Sequence, residues 1–284
     1  MSQDSPTIAA TNDPAPAYIA DINGKNYAVD PENNRIQFLD SRFYRTKDGG
    51  FVPSVTTILE AYPKGAQYAE WLKKHGEDAD EIRDEAGRRG SVVHGMTEAL
   101  DYGGELTLMN EDGSPKYKLS EWGMLGRYAE FRERHPATIH AIELNMISAE
   151  LGYAGTLDRV LTMDGQPYLM DIKTSGAVHN SYWLQQAAYI RLLGGTKEGK
   201  GAIGGIPVER VKPAILWLNA KTKTYGKDGS IQGPGWQFLT TDTPTDKLLR
   251  LFDHTHALWL EENGSAKPRT TTYKLTQTLK PKTP

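Results

Sequence analysis

The sequence predicts an α/β fold. Three observations lead there. A β-hairpin signal lies mid-chain between Gly155 and Thr174, amphipathic helical segments precede and follow it, and short β-rich stretches recur near the start of the chain and after residue 210. Strand and helix periodicities that alternate along one chain are the pattern of an α/β domain. Residues 1–16 are rich in Ala, Pro, Ser and Asp and read as a disordered tail. Tyr18–Asp30 and Arg35–Arg45 read as short strands, with turns at Asn23-Gly24 and Asp48-Gly49-Gly50. Ser54 caps a helix that starts Val-Thr-Thr-Ile-Leu and stops before Pro63. Gln67–His75 is a second helix, and Glu77–Leu100 a longer one, interrupted or bent near Gly87 and Gly90. Ser120–Arg134 is a further helix, followed by a strand at Thr138–Ala149 and then by the hairpin.

After the hairpin, a helix from about Ser181 to Leu193 is capped by Asn180 and closed by Gly194-Gly195. Lys197–Gly205 reads as a flexible loop, Val211–Asn219 and Trp236–Thr241 as strands, and Thr245–Glu262 as an amphipathic helix. The last stretch, residues 263–284, holds five basic residues and no acidic one and reads as a basic tail.

The hairpin carries the chemistry. Asp164-Gly165 is the strongest short signal for a two-residue turn with φ > 0 at both positions. If Met163 and Gln166 close it, Asp158 falls opposite Asp171 and Thr156 opposite Lys173. Paired Cβ atoms lie about 4.5–5.5 Å apart. Two carboxylates that close repel, and a divalent cation is the usual compensation. Pro167, opposite Thr162, falls where this hairpin uses no N–H, so the register tolerates it. One face then holds Leu157, Arg159, Leu161, Met163, Tyr168, Met170 and Ile172 and is expected to pack on a core. The other carries Val160 and Leu169 near the turn and ends in Asp158, Asp171, Thr156 and Lys173.

Composition bounds the function. The chain has 284 residues, 38% apolar content and a net charge of −3. That balance does not advertise nucleic-acid binding, which must then come from local patches. No cysteine is present, which excludes disulfides, thiolate zinc sites and cysteine-held iron–sulfur clusters. The sequence has no apolar run of membrane-spanning length and no secretory pattern at its start, so the expectation is a cytoplasmic protein without a membrane partner.

Further candidates lie on the helices. Gln185 and Tyr189 are four apart and share a face toward the sheet edge, with Leu184, Ala188 and Leu192 on the packed side. Taken alone, Gln185 reads equally as an exposed glutamine, and Tyr189 reads more readily as a core residue than as a site residue. His94, with Glu98 one turn further on, could bring a nitrogen ligand to a carboxylate pair. By itself it is more often an ordinary, partly buried histidine.

Gly155-Thr-Leu-Asp158, Asp171-Ile-Lys173-Thr174 and Gln185-x-x-x-Tyr189, with His94 upstream, resemble the PD-(D/E)XK nuclease superfamily. Within it they are most similar to the RecB-type nuclease domains and their phage and mitochondrial exonuclease relatives. Pro-Ser-Val-Thr-Thr-Ile-Leu at 53–59 is also similar to the N-terminal segment of phage-type members. The resemblance covers roughly residues 50–260. It implies a central mixed β-sheet flanked by helices, a restriction-endonuclease-like core at about 90–220 within one domain at 17–262. Leu157 stands where the family name has proline, and the cluster cysteines of some relatives are missing, which places the chain with the branch that has no iron–sulfur cluster.

The resemblance assigns roles. Asp158, Asp171, Lys173 and Gln185 are the implied catalytic positions. His94, Asp158, Asp171 and the Ile172 carbonyl are the implied ligands of Mg²⁺, for which Mn²⁺ can substitute. Lys173 would position or activate the attacking water, and Gln185 would orient Lys173 and the scissile phosphate. Glu98, Glu143 and Tyr189 are additional candidates, with Glu150 as a rival to Glu143. Arg88, Arg89 and Thr174 are candidate DNA contacts, and Tyr182 and Trp183 could stack on bases, although Trp183 suits a core better. The implied activity is metal-dependent hydrolysis of DNA, most readily an exonuclease in phage-type replication or recombination, in a bacterial cytoplasm. Its partners would be DNA and a single-strand annealing or replication protein. A nicking or structure-specific endonuclease, or a catalytically silent DNA-binding module, would use the same core.

Overall fold

The computed structural model describes residues 19–22, 25–28, 34–38, 41–220 and 235–263. The expected N-terminal and basic C-terminal tails, and the Asn23-Gly24 turn, lie outside the described residues apart from Asn263.

The protein is α/β. Short strands β1 (Ile19–Ile22) and β2 (Lys25–Ala28) pair antiparallel. Strands β3 (Arg35–Phe38), β4 (Ser41–Arg45) and β5 (Phe51–Pro53) form a three-stranded antiparallel sheet. Helix α1 (Val55–Ile58) follows, and its cap is the one the sequence announces: Ser54 Oγ accepts from the Thr57 amide at 3.0 Å. Helices α2 (Gly65–His75), α3 (Ala79–Asp101) and α4 (Leu119–Arg134) lead into β6 (Thr138–Ser148), β7 (Tyr153–Met163) and β8 (Gln166–Lys173). Then come α5 (Asn180–Gly195), α6 (Lys197–Ile203), β9 (Lys212–Trp217), β10 (Gln237–Thr240) and α7 (Thr245–Asn263).

The main sheet has five strands in the order β10-β9-β8-β7-β6. All neighbours are antiparallel except β8 and β9. That pair is parallel because α5 and α6 carry the chain back between them, as a parallel connection requires. The sheet is therefore mixed, with helices on both faces. On one face, Val160 and Leu169 belong to a core built with Val55 and Ile58 of α1, Leu184, Ala188 and Leu192 of α5, and Phe252 of α7. On the other, Leu161, Met170 and Ile172 pack with Val93 and Met96 of α3 and Leu125 and Tyr128 of α4. This corrects the expectation of a single packing face. A strand flanked by a parallel neighbour and a crossover helix is buried on both sides.

The hairpin register is as the turn chemistry predicts, from Met163↔Gln166 to Arg159↔Met170, and Thr162 pairs with Pro167. Asp164 and Gly165 have φ of 49° and 74°, the left-handed pair of a type I′ turn.

Four local expectations are corrected. Helix α3 runs unbroken through Gly87 and Gly90; at Gly90 a Cβ would stand 3.6 Å from Thr174 Oγ1, an ordinary van der Waals contact. Asn180 is the first helical residue of α5, and His179 occupies the cap position without a side-chain cap. Residues 197–203 are a helix, capped by Thr196 Oγ1 on the Gly199 amide at 3.1 Å. Its glycine is tight against α5, since a Cβ at Gly199 would fall 2.3 Å from the Leu193 carbonyl oxygen. Finally, Leu157 joins the core on the α5 face rather than that of its odd-numbered neighbours, beyond the point where the β7–β8 ladder ends.

Among the described residues no helix is long and apolar enough to cross a membrane.

Candidate metal centre

The β7–β8 ladder ends at Arg159↔Met170, one residue short of the two aspartates. By the alternation of an antiparallel pair, the next amide, Ile172 N–H, would go to Leu157. It goes instead to the Asp158 carboxylate, with Oδ2 accepting at 2.6 Å. Asp158 thus substitutes for a backbone acceptor, the two strands part, and a polar cleft opens at the C-terminal end of β8. Asp158 and Asp171 are both buried, 7% and 2% exposed.

Two groups of side chains meet in the cleft. The first is His94 of α3, Glu143 of β6 and Asp158 of β7, whose ligand atoms all lie within 4.8 Å of one another. His94 Nδ1 is 3.5 Å from Asp158 Oδ1 and 3.6 Å from Glu143 Oε1. The other ring nitrogen, Nε2, is 2.9 Å from the Ile172 carbonyl oxygen. Glu143 reaches the cleft from a left-handed backbone position, φ 46°, between the regular pairs Ile142↔Arg159 and Leu144↔Leu157.

The second group is Asp171, Lys173, Gln185 and Tyr189. Lys173 Nζ lies 2.6 Å from Asp171 Oδ2 as an ion pair and donates to Gln185 Oε1 at 3.1 Å. The Gln185 amide donates to Asp171 Oδ1 at 3.2 Å and to the Tyr189 hydroxyl at 3.3 Å. The Lys173 ammonium also sits 4.4 Å above the Tyr182 ring. Gln185 is buried, so its two-sided bonding is its full setting rather than a solvated helix face. Gly155 makes room for this group: a Cβ there would stand 2.4 Å from Tyr189 Cε1.

Electrostatics couples the two groups. Burial alone would lower the His94 pKa, but the Asp158 and Glu143 carboxylates outweigh it and lift it to about 9. Burial raises Asp158, against the pull of His94. Burial also pushes Asp171 up to about 6, with Lys173 opposing. Burial works against the Lys173 charge, yet Asp171 and Asp158 prevail and raise its pKa. In the ion-free site the imidazolium and the ammonium are the counter-charges. One nitrogen and two carboxylates converge in the first group, a donor set that could hold a divalent cation, and His94 would have to give up its proton to serve as a ligand.

Not every candidate is brought in. Asp171 is turned to Lys173 and Gln185 rather than into the His94 group, and the Ile172 carbonyl is occupied by His94. Glu98 is half-buried and does not converge with His94. Glu150 is exposed in the turn after β6, away from the cleft, so Glu143 is the carboxylate that β6 supplies. Arg88 is bound to Glu85 at 2.9 and 3.0 Å and to Glu121, tying α3 to α4. Arg89 Nη2 lies 3.5 Å from the carbonyl oxygen of Thr174, which is itself buried. Trp183 packs against the core.

The sequence reading missed Arg159 and Asp101. In the sequence Arg159 falls on the mostly apolar face of the hairpin, and a lone arginine among apolar strand positions is the signal that marks it. No family model matches the sequence, and no curated protein is significantly similar to it.

Proposed function

We propose that this chain is a Mg²⁺-dependent deoxyribonuclease with a PD-(D/E)XK-type centre, acting as an exonuclease on DNA ends. The observation that carries this reading is the convergence of His94, Glu143 and Asp158 within 4.8 Å, beside an ammonium held by Asp171 and Gln185. A bound divalent cation, Mg²⁺ or Mn²⁺, supplies charge neutralisation and an acidified water.

The protein's own groups do the rest. Lys173 remains protonated and contributes a fixed positive charge at the phosphate, oriented on one side by Asp171 and on the other by Gln185. Tyr189 fixes the Gln185 amide from below. Burial of both aspartates keeps bulk water away, so each charge acts at low dielectric strength. Arg89 and the exposed loop after Thr174 line the approach for the DNA backbone. Action in a bacterial cytoplasm, during phage-type replication or recombination with a single-strand annealing or replication protein, belongs to the same proposal.

Digestion of end-labelled linear and closed circular DNA, single- and double-stranded, with Mg²⁺ or EDTA tests it. The expected result is Mg²⁺-dependent loss of linear DNA with circles left intact. Cut circles would mean an endonuclease. DNA binding without cleavage under any divalent cation would mean a silent binding module.

A further inference from the structure

Among the described residues, Arg159 is the largest of the fully buried side chains, at 0% exposure. It directly follows Asp158 on β7. Its guanidinium is gripped from α3: Nε donates to Asp101 Oδ2 at 2.6 Å and Nη2 to Thr97 Oγ1 at 3.2 Å. Asp101 is itself fixed from α4, by the Tyr128 hydroxyl and by Arg132 Nη1 at 2.5 Å. The remaining amino group, Nη1, donates to the Asp158 carbonyl at 2.8 Å and to Glu143 Oε1 at 3.2 Å. A guanidinium is a rigid planar fork, so locking one edge sets the direction of the other.

Glu143 needs such a hold. Its backbone is in the left-handed region that residues with a side chain seldom adopt, in a strand whose pairing with β7 also shifts register between Ile139 and Ala141. Only structure around it can keep it there. Among the described residues, Arg159 is the fully buried cation on that carboxylate, at 3.2 Å, beside the partly exposed His94 at 3.6 Å. Thr97 links the same grip to the other side of the cluster, since its hydroxyl also donates to the His94 carbonyl at 2.9 Å.

We propose that Arg159 is the positioning residue of the metal centre: locked to α3 through Asp101 and Thr97, it holds Glu143 in its left-handed setting and presents that carboxylate to the cation shared with His94 and Asp158. The inference deepens the nuclease assignment and rests on it. Arg159 touches neither DNA nor the reacting atoms; it acts through Glu143.

Mn²⁺ titration by calorimetry of the full chain, Arg159→Lys, Glu143→Gln and the double variant tests this. Lysine keeps the charge and loses the fork. Arg159→Lys is expected to weaken Mn²⁺ binding at least tenfold, within the range for residues that orient ligands. The double variant is expected to bind no more weakly than Glu143→Gln alone, because both changes act through one carboxylate. A purely structural role would lower the melting temperature and leave Mn²⁺ affinity unchanged, or add in full to Glu143→Gln; either result overturns the proposal. If Arg159→Lys does not fold, Thr97→Val decides: several-fold weaker Mn²⁺ binding, absent in the Glu143→Gln background, supports it, and unchanged or fully additive binding overturns it. A wild-type chain that takes up no Mn²⁺ sinks the nuclease assignment and this inference with it. A wild-type chain that binds Mn²⁺ irrespective of Arg159 sinks this inference alone.

Discussion

Asp158 Oδ2 accepts a 2.6 Å hydrogen bond from the Ile172 amide, in place of the ladder bond that Leu157 would have taken. One carboxylate thus ends the strand pairing and joins the cluster of His94 and Glu143. The two duties separate by mutation. Asp158→Asn keeps an acceptor for Ile172, so unfolding free energy should change by no more than about 1 kcal/mol. Asp158→Ala leaves a buried amide unpaired and should cost about 1–3 kcal/mol. Both should lose cleavage. Urea denaturation beside a Mg²⁺-dependent digestion reads out the difference, and an active Asp158→Asn protein would count against the centre.

Asp171→Ala and Lys173→Ala should each abolish cleavage while the fold persists. The Lys173 side chain is 17% exposed and paired with Asp171, so each change removes one partner of a largely buried ion pair and should cost about 3–5 kcal/mol of stability. Circular dichroism melts alongside digestion of labelled linear DNA check this. Normal cleavage by both purified variants would refute the site.

Cation binding should release protons. At pH 7 the ion-free His94, with its pKa raised to about 9, holds a proton that it must shed to become a ligand. Asp171, raised to about 6, is mostly ionised by then. Mn²⁺ affinity should therefore climb as pH rises from 6 toward 9 and level off above. Calorimetry at pH 7 in two buffers of different ionisation enthalpy should show close to one proton released per cation. Buffer-independent heats would contradict the assignment of His94.

Gly155→Ala should be destabilising although alanine is small. Its Cβ would meet the Tyr189 ring at 2.4 Å, and Tyr189 is anchored to Gln185. Overpacking of this kind costs about 1–3 kcal/mol. Tyr189→Leu in the same chain should recover part of that stability in urea denaturation without restoring the Gln185 contact or full activity.

Much of this was legible because short-range chemistry decided it. Asp164-Gly165 fixed the turn, the turn fixed the register, and the register brought Asp158 toward Asp171. Ser54 and the helix it caps were equally plain. What was missed depended on contacts made at long range. Gly199 reads as flexibility in a Lys-Glu-Gly-Lys-Gly run, yet it lies against the Leu193 backbone, where no side chain fits. Glu143 could be proposed only by likeness, because nothing local reveals that a strand residue will turn left-handed. Arg159 was hidden for the same reason: its partners Asp101 and Glu143 are 58 and 16 residues away in the chain. The parting of the strands at Asp158 was also invisible, since pairing rules extend a ladder until a side chain interrupts it.

The type I′ turn closes the end of the hairpin remote from the carboxylates. From Gly165 to Asp171 the extended chain covers roughly 20 Å. That tip is a natural handle: a fluorophore or surface linker attached at Gln166, beside the turn, would report on or immobilise the molecule at a distance from the carboxylates.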